Sequence, residues 1–358
     1  MSSTAGPSTE TEYERHNVAD VAGVVALGAC AVWSLITATA RAGRPEGVLL
    51  AVLAVAAGYV CGRISGALVP MAAPCAAALA ELGLALASPH AVPAPDTGSP
   101  LGRTGATAAL LVLATGAACC AAWATRRLPA RVALFLLAGG AVVAAVDAGS
   151  VVAVTACTGV LLCSLASARM RYRGLGLAGF GLVTALVTGL ALALLKGVLP
   201  SGLDDSLSGQ LTQHRVLLWR DALRLTESEP GLGVGPGRFG ELSPTAGETL
   251  LSDGKPHSAP LQMAAEQGLV GVCLLVAVFC WLLYVLWRSA RSTPVVLTAG
   301  AALTALAALA TLGNALSFTT VTAGAGLLAG VATARPWGDE PPDSITAAPI
   351  RARDGRAS

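Results

Sequence analysis

Charge is what this sequence has least of. Only 12% of its residues are Asp, Glu, Lys or Arg, against about 25% in an ordinary soluble domain. Over 358 residues that are 54% hydrophobic, this scarcity excludes a solvated globular fold and points to a chain that crosses a membrane many times. There is no basic stripe, which argues against nucleic acid as a partner. Cys-x-x-Cys pairs are also missing. Cys30, Cys61, Cys75, Cys119, Cys120, Cys157, Cys163, Cys273 and Cys280 all fall in apolar segments, so they read as small buried hydrophobes and not as disulfides or zinc ligands. No D-x-D, no H-E-x-x-H and no acidic cluster calls for a metal or other cofactor. Asp204-Asp205 reads as the solvated start of a loop.

What the sequence does have is long apolar runs. They cover roughly 19–40, 47–63, 65–88, 104–125, 130–147, 150–168, 175–198, 260–287, 294–312 and 315–334, the second and sixth being short, which predicts about ten transmembrane helices. The first resembles a signal peptide at Ala38-Thr-Ala40. Its apolar run is too long for one, and Glu10, Glu12 and Glu14 precede it, so it reads as a spanning helix. Alternate short loops hold Arg63; Arg126, Arg127 and Arg131; Arg169, Arg171 and Arg173; Arg288 and Arg291. The intervening ones hold Arg41, Arg44 and Arg103. This bias predicts a multi-pass protein of the cytoplasmic membrane with both termini inside. The expected organisation is a cytoplasmic segment over 1–18, seven helices over 19–198, an external loop over 199–259, three helices over 260–334, and a disordered cytoplasmic tail over 335–358.

The external loop carries the polar chemistry. A loop this long in a compact protein points to function. Within it, Gly235, Gly237 and Gly240 fit G-x-G-x-x-G, the spacing of a dinucleotide-binding turn. That motif needs a preceding strand. Here the preceding segment has helical periodicity, with Leu218, Trp219, Ala222 and Leu225 on one face, so it predicts an amphipathic helix lying at the membrane surface. Pro236 also removes an amide that phosphate would need. The glycines therefore read as an elbow that turns the chain back towards the membrane. Beyond it, Ser258 and Pro260 signal a helix start, which puts His257 at the mouth of the eighth span.

Arg215, Trp219, Ala222 and Leu223, followed by Pro230 through Phe239, His257-Ser258, and Leu261, Glu266, Gly268 and Gly271, together resemble the signature of bacterial O-antigen ligases and polymerases. The resemblance implies an all-α, GT-C-like membrane glycosyltransferase that works without a metal or other cofactor. It implies transfer of a glycan from an undecaprenyl-diphosphate donor to a hydroxyl of a glycan, lipid or protein acceptor at the outer membrane face. It assigns Arg215 to the diphosphate and His257 to the acceptor hydroxyl or reacting centre. The chemistry is consistent with these roles: a leaving diphosphate needs charge-assisted hydrogen bonds from Arg, and a neutral imidazole accepts a hydroxyl proton. Ser258 stands where the family usually has Asn. Two further family motifs are replaced by "GRTGAT" from Gly102 and "DAGSVV" from Asp147, the latter without its arginine. Arg103, Arg220 and Arg238 are the candidates to replace it at the substrate.

Glu266 is expected to face the bundle near the outer surface and orient a loop arginine. Glu81, inside the third span, is a candidate cavity or partner residue, since a charge there is costly. Trp33, Trp123, Trp281 and Trp287 fit interfacial anchoring in membrane lipids. The competing reading is a transporter or an inactive scaffold of envelope-polymer assembly. A transporter is expected to show midplane ionisable residues and repeated halves. Only Glu81 and no repeat are seen.

Overall fold

The computed structural model describes residues 8–87, 102–195, 213–247 and 254–335. The expected tail beyond 335, the start of the external loop with Asp204-Asp205, and residues 1–7 lie outside them. The described residues form helices α1 (Ser8–Arg41), α2 (Glu46–Leu68), α3 (Ala72–Ala87), α4 (Gly102–Ala124), α5 (Leu128–Asp147), α6 (Val151–Ser167) and α7 (Arg173–Leu195). After these come α8 (Gln213–Ser228), the single turns α9 (Phe239–Leu242) and α10 (Pro244–Gly247), α11 (Ala259–Arg288), α12 (Thr293–Leu312) and α13 (Thr319–Thr333).

Seven of these helices are long and apolar enough to cross a membrane. α3, α6 and α13 are apolar but have only 16, 17 and 15 residues, short of the roughly 20 a span requires. The expectation of ten spans is thus supported for seven. One boundary also moves. α2 continues to Leu68, and the break falls at 69–71 instead of after Arg63. Pro70 sets it, because a proline ring disfavours helix at the residue before it. Arg63, expected in a loop, lies inside α2, 2.7 Å from the Asp20 carboxylate of α1 and 3.1 Å from the Tyr59 hydroxyl.

Apolar side chains cover the outside of the bundle. Val24, Leu136 and Leu175 are more than 70% exposed, as expected where lipid is the solvent. α4 forms the centre instead. Ala108, Ala109, Ala117, Ala118, Cys119 and Ala121 are all buried, and such small residues let neighbouring helices approach closely. Cys120 and Cys157 are likewise buried, whereas Cys61, Cys273 and Cys280 are exposed on the outer surface. The reading of every cysteine as buried is corrected in that respect.

The tightest pair is α2 against α13. Gly58, Gly62 and Gly66 recur at four-residue spacing on α2 and meet Gly326 and Gly330 on α13. A Cβ at Gly62 would come within 2.3 Å of the Leu327 carbonyl, and one at Gly330 within 2.2 Å of the Tyr59 carbonyl. Glu81 of α3 is 4% exposed, and neither carboxyl oxygen has a hydrogen-bond partner among the described residues. It sits against Gly324 of α13, where a Cβ would meet Oε1 at 2.7 Å.

Arginines tie the helix ends at the opposite pole from α8. Arg173 donates to the Ser289 carbonyl at 2.7 Å, and Arg291 donates to the carbonyls of Gly66 and Ala334, each at 2.8 Å. Cations at C-terminal carbonyls complement the helix dipole. Two of the tryptophans expected as interfacial anchors are hydrogen-bonded within the bundle: Trp281 donates to the Ala19 carbonyl and Trp123 to Ser164.

Gly62→Leu is expected to lower the thermal midpoint of detergent-purified protein, by about 1–3 kcal/mol of overpacking. Gly139→Ala, which has open space around it, should be neutral or gain up to about 1 kcal/mol of helix propensity. Equal midpoints in scanning fluorimetry would contradict the close α2–α13 packing.

Candidate functional site

α8 has the amphipathic pattern expected, but its apolar face meets protein and not lipid. Leu218, Trp219 and Ala222 are at most 2% exposed. They pack with Ala191 and Leu195 at the end of α7, Phe239, Ala246, and Leu261 and Ala265 of α11. α8 therefore lies across one end of the bundle and closes it. Arg215, one turn before Trp219, is 2% exposed, and its Nη1 donates to the Leu312 carbonyl at the C-terminus of α12, 3.3 Å away. This is the negative end of a helix dipole, where a desolvated cation is favoured. Arg220 and Arg224 point away from the core. Asp221, the neighbour of Arg220, is buried. It accepts hydrogen bonds from the Ser243 hydroxyl at 2.8 Å and the Thr245 amide at 3.2 Å, and so pins α9 and α10 onto α8. Burial opposes ionisation of its carboxyl, but the hydrogen bonds from Thr245 and Ser243 and the charge of Arg224 outweigh it and hold the pKa below the ordinary value.

The glycine elbow is docked on a broken helix. α11 is interrupted at Gly268, with φ 69° and ψ −168°, a conformation essentially reserved for glycine. The break frees the carbonyls of Ala265, Glu266 and Gln267 from their helical partners. Val234 N–H takes the first and Gly235 N–H the second, each at 2.9 Å. Trp33 Nε1 of α1 takes the third at 3.0 Å, a specific role beyond interfacial anchoring. Leu269 N–H returns to the Pro230 carbonyl at 2.9 Å. The approach leaves no room for side chains: a Cβ on Gly233 would lie 2.5 Å from the Glu266 carbonyl carbon, and one on Gly268 would lie 2.3 Å from the Gly231 oxygen. Past the break, residues 269–288 extend about 30 Å at 1.5 Å per residue, matching the roughly 30 Å hydrocarbon core. The turns from Ala259 to Gln267 are left to build the site.

Glu266 is buried and its carboxylate faces the N–H groups of Gly237 and Phe239, with the Gln262 amide 3.4 Å away and Lys255 adding positive charge. It thus holds the elbow, where an arginine partner had been expected. Arg238 is turned to the other side: it donates to the Arg41 carbonyl at 2.7 Å and lies 3.6 Å from Glu241. Arg41 itself pairs with Glu229. The α1–α2 loop completes this side, with Arg44 N–H donating to the Pro236 carbonyl at 2.7 Å. The elbow therefore brings Arg238 to Arg41, while Arg215 is held at α12. His257 has φ 52°, a left-handed conformation that is uncommon and strained outside glycine. It directly precedes Ser258, the N-cap residue of α11. Arg103 lies in the first turn of α4, with its side chain outside the described residues.

Residues 133–276 match the family model of the O-antigen ligases. The segment carries an O-antigen ligase domain. It begins within α5, ends within α11 and includes Arg215, Arg220, Arg238, His257 and Glu266. Over this segment the chain is similar to the O-antigen ligases, and its seven long apolar helices make it a multi-pass membrane protein. No curated protein matches the chain.

The ligase domain recruits residues that sequence reasoning missed. Arg41 and Arg44 read as loop charges, yet a Cβ on Gly235 would lie 2.8 Å from that of Arg41. Trp33 read as a lipid anchor, and Asp221 was not singled out. Only Gly268 carried a signal, as a glycine interrupting an apolar helical run. Among the described residues no group of three or more His, Cys, Asp and Glu is placed to hold a metal.

Asp221 gives the ligase domain an acid-sensitive joint. Its folded pKa lies below the unfolded value of about 3.9, so its contribution is complete above about pH 4 and is lost as pH falls through the lower folded value. Asp221→Asn is expected to lower the midpoint at pH 7 and to flatten the loss of stability between about pH 5 and pH 2. An acid profile identical to wild type would contradict this role.

Proposed function

We propose that the protein is a metal-independent glycosyltransferase that moves a glycan from a polyprenyl-diphosphate donor to an acceptor hydroxyl at the outer face of the cytoplasmic membrane. The observation that carries this reading is the set of buried hydrogen-bond donors and arginines at the α8 end of an otherwise apolar bundle, most of them within the segment that matches the O-antigen ligases. Trp219 Nε1 and Gln267 Nε2 are buried donors without a partner among the described residues. The same end of the bundle holds the buried guanidinium of Arg215, with Arg44 and Arg238 on the far side of the elbow. Such a set suits an oxygen-rich anionic group.

In this reading Arg215 stabilises the charge that develops on the departing diphosphate, and Arg44 and Arg238, with Arg220 and Arg103, receive the rest of the donor. His257 removes the acceptor proton as the hydroxyl attacks the anomeric carbon. The glycosidic bond forms there as the bond to the diphosphate oxygen breaks. A strained non-glycine residue such as His257 is the kind found at functional sites. Glu266 acts indirectly, by fixing the elbow that carries Arg238. The arginine-rich pole faces the cytoplasm by the positive-inside rule, which puts α8 outside.

Transfer from a polyprenyl-diphosphate glycan by purified protein tests the assignment. His257→Ala is expected to lower kcat by about 100-fold or more, the usual range for loss of a general base. Arg215→Lys retains the charge without the planar fork and is expected to lower kcat/KM while the protein stays folded. Chelator should have no effect. Wild-type transfer rates in both folded variants would refute the residue roles.

A further inference from the structure

At the opposite pole from the proposed catalytic assembly, α7 and α11 enclose an open groove of about 430 Å³. Its walls include Gly174, Leu177 and Gly181 of α7 and Leu283, Tyr284 and Trp287 of α11. The concavity is written into the sequence. Gly174 and Gly181 sit seven residues apart on one face of α7, and side chains there would fill it: a Cβ on Gly174 would lie 3.4 Å from Trp287 Nε1. Tyr284 and Trp287 stand side by side, with ring centroids 6.1 Å apart and both rings partly exposed. Aromatic pairs of this kind lie at headgroup level in membrane proteins.

The groove ends under arginines. Arg173 opens α7 and donates to the Ser289 carbonyl at 2.7 Å, which closes that end and brings it beside Arg288. The Arg288 Nε–H is buried and has no hydrogen-bond partner among the described residues. Arg169 and Arg171 are exposed in the preceding loop. No acidic residue occurs between Asp147 and Asp204 or between Glu266 and Asp339, so neither α7, α11 nor their adjoining loops at this pole supply a carboxylate to balance these charges. An apolar channel leading to guanidinium groups that have no acidic partner on α7, α11 or their adjoining loops complements the shape and charge of a lipid carrying a phosphate.

We propose that this groove binds an anionic phospholipid, with one acyl chain between α7 and α11 and its phosphate on Arg288 and Arg173. The site is separate from the catalytic assembly and does not depend on the reading given for it.

Fluorescence quenching tests the proposal in full-length protein reconstituted into phosphatidylcholine vesicles. The same fraction of brominated phosphatidylglycerol or brominated phosphatidylcholine is added, and the signal of Trp287 is taken as the difference from Trp287→Phe. Brominated phosphatidylglycerol should quench Trp287 preferentially. Arg288→Gln, and separately Arg173→Gln, should each weaken that preference about fivefold, the effect of one basic residue near an anionic headgroup. Gly181→Leu, which keeps both arginines and fills the channel, should abolish the preference. Equal quenching by the two lipids would reduce the groove to ordinary lipid contact and overturn the proposal. So would an unchanged preference in Arg288→Gln, or displacement of brominated phosphatidylglycerol by a few mole per cent of polyprenyl phosphate.

Discussion

Three consecutive carbonyls, those of Ala265, Glu266 and Gln267, lose their helical partners where α11 breaks at Gly268. Leaving such groups buried and unbonded costs about 1–3 kcal/mol each, and more where lipid replaces water. The structure meets this demand from two distant parts of the chain. The elbow supplies Val234 N–H and Gly235 N–H, and α1 supplies Trp33 Nε1. The rest of the site follows from this joint. The elbow cannot dock unless Gly233 and Gly268 lack side chains, and α8 is tethered where Leu269 N–H meets the Pro230 carbonyl.

The joint also explains the division between membrane and surface in a single helix. A 30-residue helix would run about 45 Å, longer than the bilayer core needs. Breaking it at Gly268 leaves one part to span and turns the first part into a wall of the polar assembly. α8 closes the other side, through Trp219 and Ala222 against Leu261 and Ala265. Arg215 is thereby fixed at the end of α12, and His257 at the entry to α11. Glu266 is engaged by backbone N–H groups of the elbow, while Arg238 faces Glu241 and the Arg41 carbonyl and Arg215 the Leu312 carbonyl.

Much of this was legible in the sequence. Apolar runs located the helices to within a few residues, except where α1 starts at Ser8, well before its apolar run, and where Pro70 and not Arg63 ended α2. Periodicity located α8 and its buried face through Leu218, Trp219 and Ala222. The pattern could not say what covers that face, because an apolar stripe fits lipid and protein equally well. The glycines of the elbow were read correctly as a turn, but their partner was not visible. Gly268 sits in an apolar run that continues as helix on both sides, and a lone glycine there is tolerated by a straight helix. The recurrence of Gly58, Gly62 and Gly66 was present and unread. Its meaning depends on Gly326 and Gly330, more than 250 residues away, and the sequence carries no signal for that pairing.

Hydrogen exchange of the amides in 231–240 and 265–271 measures the joint most directly. Docked as described, the Val234, Gly235 and Leu269 amides are protected in native protein, and Gly268→Ala releases the elbow amides while α12 and the arginine-rich pole stay protected. Elbow amides exchanging at the rate of a free loop in the native protein, or protection unchanged in folded Gly268→Ala, would contradict the account.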